Sequence, residues 1–288
     1  MKYNIGKNWL STFEVMVKKP AVLMPFIVIA FIEGIGLEII YFAARGPLAL
    51  AFNPIIKKFF GEAFLHYPGN IIVMGKSFYN LQLAIYIVLG AALSAVSVNI
   101  FRNIKEGLPL KTNALIKNAM KNYVSYFIYG IVVIALIFIA KKVDGFIIRH
   151  LVSVISRIGF LAKPLVYFML NIAILFFTNI LLQILIVLTV PLIVLRKLNI
   201  FKALWTGMLT GILNLRTLFV LLMLPFMVYF PISTLKGFSG QLSDKFFPEV
   251  NVLITAVGII LTVFCDSFVI LSASQFVLDI KSAEEKKT

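Results

Sequence analysis

The 288 residues are 61% hydrophobic and 14% charged, and 27 Lys and Arg against 12 Asp and Glu give a formal net charge of +15. A soluble domain is near half apolar and a quarter charged, and still needs a polar surface, so much of this apolar surface must face lipid. Cys265 is the single cysteine, which excludes an internal disulfide and a cysteine-based zinc site.

Residues 1–20 are polar to amphipathic, with Lys7, Trp9, Phe13, Lys18 and Lys19 ahead of Pro20. The run over 21–44 is long enough to cross a bilayer. It ends at Phe42-Ala43-Ala44 with no small-x-small cleavage site, so it reads as a first span and not as a removable signal. Further spans are expected near 80–101, 122–140, 165–195, 217–232 and 250–277. The expected fold is all-α: a single polytopic membrane domain of about six transmembrane helices. The runs are too long, and too free of period-two alternation, for barrel strands. The fifth span is the short one, and Pro225 and Pro231 predict a kink or an extension by the preceding helix.

Two connecting segments have helical periodicity of their own. Over 52–65, Asn53, Lys57 and Gly61 fall on one face beside Lys58 and Glu62. Over 144–161, Arg149, Ser153 and Arg157 recur every four positions among apolar residues. Each fits a basic helix in the headgroup plane, and equally a helix packed over the end of a bundle. Lys57, Lys58, Arg149, Arg157, Arg196 and Lys197 are the candidate headgroup contacts, with anionic membrane lipid as the expected partner and nucleic acid excluded. Another membrane protein is a second candidate partner.

With both termini placed in the cytoplasm, the inner segments 1–20, 102–121, 196–216 and 279–288 hold sixteen of the 27 Lys and Arg. That bias sets the expected orientation, although Lys141, Lys142, Arg149, Arg157 and Lys163 crowd one outer loop.

The inner segments repeat a design. Residues 7–20, 102–122 and 196–216 are amphipathic stretches that run directly into the first, third and fifth spans, with Trp9 and Trp205 at interfacial positions. The sequence therefore predicts three hairpins, each preceded by a cytoplasmic amphipathic helix. With Lys19-Pro20 before the first span, Ala114-Leu115 before the third and Ala203-Leu204 before the fifth, this arrangement resembles a prokaryotic superfamily of six-span membrane domains. That superfamily includes the membrane domain fused to some glycerophosphodiester phosphodiesterases, and stand-alone proteins of unknown function. The resemblance covers nearly the whole chain and implies a six-span fold in a prokaryotic plasma (inner) membrane. It carries over no catalytic residue, because the phosphodiesterase domain is absent.

Glu33 and Asp266 lie near the middle of the first and sixth spans, where an ionised carboxylate is costly, and no Lys or Arg falls inside a span to pair with them. Glu38 lies about 140° further round the first helix and nearer the interface. These three acids are the candidate ion- or ligand-binding residues. Two readings stand for Glu33 and Asp266: a proton or ion relay, and neutral acids that bond neighbouring helices as glue. Asn171, Asn179 and Gln183 in the fourth span, and Gly90, Ala91, Ser94 and Ala95 in the second, read as helix-packing groups.

Enzyme chemistry finds no support. His66 and His150 are the only histidines and fall in outer loops without metal-ligand spacing. There is no Walker A, dinucleotide-turn or HExxH pattern, and Phe264-Cys265-Asp266-Ser267 lacks the glycine flanking expected of an intramembrane aspartyl hydrolase. No cofactor, metal or catalytic residue is expected. The sequence points to a non-enzymatic membrane module that organises lipid or binds a partner. The alternatives are a transporter or permease component with a midplane acidic site at Glu33 and Asp266, and a lipid-modifying enzyme.

Overall fold

The computed structural model describes residues 4–42, 46–67, 69–156, 163–238, 242 and 245–285. Its helices are α1 (Ile5–Lys18), α2 (Met24–Phe42), α3 (Gly46–Phe60), α4 (Gly69–Ile85), α5 (Ala91–Lys105), α6 (Thr112–Met120), α7 (Tyr123–Ser156), α8 (Lys163–Ile186), α9 (Thr189–Leu195), α10 (Ile200–Leu213), α11 (Leu215–Gly237) and α12 (Val250–Glu285). A π-helical turn, Tyr86–Gly90, joins α4 to α5. No strand occurs among the described residues. Six stretches are long and apolar enough to cross a bilayer: Met24–Phe42, Ser77–Lys105, Tyr123–Leu151, Val166–Leu195, Leu215–Gly237 and Val250–Ser282. The protein is an all-α, multi-pass membrane protein, as expected where hydrocarbon forces every backbone group to be satisfied within the fold.

Several helices run past the apolar runs that announced them. The segment expected as a separate basic helix over 144–161 is, up to Ser156, the continuation of α7. No proline interrupts it, and Asp144 is buried there, accepting a 2.7 Å hydrogen bond from Thr178 Oγ1 on α8. Arg149 is exposed on this extension, whereas Arg157 lies outside the described residues. The helix expected over 52–65 begins earlier, at Gly46, and Gly61 ends it with φ +91°. A left-handed residue closes a helix and does not continue it, so Gly61 shares no helical face with Asn53 and Lys57.

The fifth span is the largest revision. It does not stop near 232: α11 continues to Gly237 with both prolines inside it. Proline lacks an N–H and leaves the carbonyl four residues before it without its helical donor. For Pro225 that carbonyl belongs to Leu221, and the indole Nε1 of Trp9 donates to it at 3.1 Å. A group from α1 thus completes a helix more than two hundred residues away.

The core lies where α5, α9, α11 and α12 meet, with Phe101, Leu188, Leu218, Leu221, Leu271 and Phe276 wholly buried. In the apolar window of the Ser77–Lys105 stretch 56% of residues are buried, against 11% for Tyr123–Leu151. The former is the hub of the bundle and α7 its outermost wall.

The short helices contact this bundle through a mixture of small, polar and apolar residues. On α1, Asn8, Thr12 and Met16 are buried, with Asn8 Nδ2 donating to the Ser272 carbonyl at 3.1 Å. Leu10, Phe13 and Val17 face outward, Leu10 with 70% of its surface exposed. On α10, Ile200, Ala203, Gly207 and Gly211 are buried, while Phe201, Trp205, Leu209 and Ile212 face outward, Trp205 at 69%. Both helices have 14 residues and open on an asparagine cap: Asn4 Oδ1 accepts from Lys7 N and Asn199 Oδ1 from Lys202 N. On α6, Leu115 and Ala119 are buried and Ile116 and Met120 exposed.

Candidate functional site

Glu33 occupies the middle of α2 on the side that packs against α12, α4 and α5, and it is completely buried. Neither carboxyl oxygen has a hydrogen-bond donor in bonding geometry. The side chain that comes nearest to bonding it is the Gln82 amide on α4, and the charged neighbours are Asp266 on α12 and Lys236 on α11. Asp266 is better provided, since Tyr86 Oη donates to its Oδ2 at 2.5 Å. Lys236 Nζ stands 3.4 Å from Tyr229 Oη, and Tyr229 lies in the neighbourhood of both Asp266 and Glu33. Four helices and the π-turn therefore deliver two acids, one amine, two phenols and one amide to a single region of the interior.

Local backbone shape explains how these groups fit. Tyr86 opens the π-turn, and a π-turn inserts one extra residue that re-aims the side chains around it. Gly90 closes the turn, and a Cβ there would stand 2.8 Å from the Tyr86 ring, so the missing side chain is the space the ring occupies. Across the bundle, Gly130 of α7 lies against the backbone of Ile87, where a Cβ would come within 2.9 Å. Gly258 of α12 does the same for Lys236: a Cβ would meet its Cε and Nζ at 2.6 Å. The lysine stem crosses the last span over a glycine and reaches inward instead of out to the headgroups.

An unpartnered, fully buried carboxyl among two phenols and an amine can hold a proton, or share a small cation with Asp266. Among the described residues no group of three or more His, Cys, Asp or Glu is assembled to bind a metal.

The structure thus brings Glu33 and Asp266 into one cluster and leaves Glu38 out of it, exposed on the other side of α2. The expectation that no basic residue lies inside a span fails at Lys236, which the extension of α11 carries into the bundle. The headgroup candidates divide. Lys57, Lys58, Arg149 and Lys197 are exposed. Lys57 is 2.8 Å from Glu62, and that ammonium holds the Glu62 carboxyl below its usual range. Arg196 is partly buried, with Nη2 3.1 Å from Glu284, so it ties the end of α9 to the end of α12. Of the packing candidates, Asn179 bonds the Leu175 carbonyl of its own helix and faces outward, as does Asn171. Gly90, Ala91, Ser94 and Ala95 are buried.

Sequence reasoning missed Tyr86, Tyr229, Gln82, Lys236 and Asp144. For Lys236 and Asp144 the sequence pointed the other way, since Gly237 and Gly145 follow them directly and read as helix breakers. For Tyr86 there was no signal, because a π-turn has no sequence signature.

No family model, no curated protein and no solved structure matches this chain.

Proposed function

We propose that this protein is a non-enzymatic, lipid-organising membrane module. It is built as three hairpins, each preceded by a cytoplasmic amphipathic helix that docks one edge on the bundle and turns an apolar stripe to the acyl chains. The observation that carries this reading is the apolar stripe that α1 and α10 leave facing outward. A helix at the end of a soluble bundle buries its apolar stripe. Here Asn8, Thr12 and Met16 face the protein, while Leu10, Phe13 and Val17 face away. On α10, Phe201, Trp205, Leu209 and Ile212 face away. Such stripes need an apolar neighbour, and an interfacial helix finds one in lipid. The exposed Lys57, Lys58, Arg149 and Lys197 supply attraction to anionic headgroups. The resemblance to the prokaryotic six-span superfamily is in keeping with the hairpin plan and with a plasma-membrane location.

The chain has two tryptophans, and fluorescence can test the reading with them. In vesicles of phosphatidylcholine and phosphatidylglycerol, the Trp9→Phe variant reports Trp205 alone. Its emission is expected to be quenched by lipids brominated high on the acyl chain and shielded from aqueous iodide. Quenching by iodide with no response to the brominated lipids would put the stripe in water, and the reading would fail.

A second reading, a proton- or cation-coupled transporter component, is favoured by the unpartnered Glu33 carboxyl beside Asp266 and Lys236. Under it, Glu33→Gln and Asp266→Asn abolish gradient-driven flux in proteoliposomes while the protein stays folded. Absence of any flux of ion, lipid or small solute by the unaltered protein removes it.

A further inference from the structure

The outer side of α2 carries a groove that the buried cluster does not use. A cavity of about 700 Å³ opens between α2 and the first turn of α3. Its floor follows one stripe of α2, namely Ala30, Gly34, Glu38 and Phe42, spaced four apart so that they share a face. Gly46 and Leu48 line the other side. Gly34 sets the depth, because a Cβ added there meets nothing within 4 Å.

Length and charge define what fits. At about 1.5 Å per residue the stripe from Ala30 to Phe42 runs roughly 18 Å. That is slightly more than half the roughly 30 Å hydrocarbon thickness, so the groove reaches from the end of α2 to its middle, about one leaflet deep. Glu38 sits one turn short of the helix end, closer to the membrane surface than Glu33, and is exposed. It is the single ionisable side chain among the described lining residues. A carboxylate at the mouth of an acyl-length apolar groove complements an ammonium and repels a bare phosphate.

We infer that this groove binds one phospholipid with a primary-amine headgroup, its ammonium on the Glu38 carboxylate and one acyl chain along Gly34 and Ala30. The basic surface elsewhere draws anionic lipid, so this site selects a different headgroup from the one that surrounds it. The site is separate from the outward stripes of α1 and α10, and its failure leaves the reading built on them standing.

Native mass spectrometry tests this on the full chain in mild detergent, with dioleoyl phosphatidylethanolamine and dioleoyl phosphatidylglycerol supplied at equal concentration. The unaltered protein is expected to retain one phosphatidylethanolamine in preference to phosphatidylglycerol, by about fivefold or more. Glu38→Gln should erase that preference. Gly34→Trp, which grows into open groove, should remove the retained lipid without lowering Tm. Equal retention of both lipids by the unaltered protein, or an unchanged preference in Glu38→Gln, overturns the proposal. So does a protein dimer that Gly34→Trp dissolves, since a second copy would then be the occupant. Should Gly34→Trp lower Tm, Glu38→Gln decides, because its position is exposed and the change is isosteric.

Discussion

Two seams of this bundle solve opposite problems. Where α10 packs on α8 and α9, Gly211 and Gly207 let the backbones approach closely: a Cβ at Gly211 would stand 2.7 Å from the Ile184 carbonyl oxygen, and one at Gly207 3.3 Å from Thr189 Oγ1. No ionisable group lies among those contacts and the seam is mostly shape, as expected where lipid removes the hydrophobic drive and close packing must hold helices together. Between α2, α4, α11 and α12 the interior instead holds Glu33, Asp266, Tyr86, Tyr229 and Lys236, with Glu33 unpartnered. The first seam spends its specificity on fit. The second gathers ionisable groups that fit alone would have eliminated, and that contrast is the argument for function at Glu33.

Substitutions can break or sharpen this contrast. Gly211→Leu is expected to cost most, about 3 kcal/mol of stability, because the opposing atom is backbone and cannot step aside. Thermal unfolding in detergent measures it, and a loss near zero would mean that the seam is looser than its geometry. Tyr86→Phe comes next, at about 2 kcal/mol, since it strips the Asp266 carboxyl of its donor. Trp9→Phe should cost about 1 kcal/mol by freeing the Leu221 carbonyl. In a Pro225→Ala background, which restores a backbone N–H to that carbonyl, the same change should cost close to nothing, so a double-mutant cycle isolates the bond. Glu33→Gln is the smallest and has the opposite sign: removing an acid that has no partner should stabilise the fold by somewhat less than about 1 kcal/mol. A clear loss of stability in Glu33→Gln would return Glu33 to the role of structural glue.

Much of the architecture was legible in the sequence, for a physical reason. Hydrocarbon leaves a helix no choice but to be long and apolar, so the existence of six spans follows from hydropathy. Their ends do not, since a helix can outlast its apolar run wherever a partner receives the polar residue, as Thr178 receives Asp144. The fifth span likewise outlasts its expected end near 232, with Pro225 and Pro231 inside α11 and a distant indole supplying what Pro225 withholds. The end set too early hid Lys236, and with it the basic member of the cluster. Glu33 and Asp266 could be found because a midspan acid is conspicuous in any reading. Tyr86 and Gly90 could not, because nothing in their neighbours announces a π-turn.

The bonds from α1 carry a consequence for assembly. Asn8 reaches Ser272 and Trp9 reaches Leu221, partners 264 and 212 residues away. During synthesis α1 emerges long before its docking sites on the fifth and sixth spans. Until those are made, its edge of Asn8 and Trp9 has no match. The contact thus acts as a clasp, in which a segment made early fixes two made late and fills the carbonyl that Pro225 leaves open.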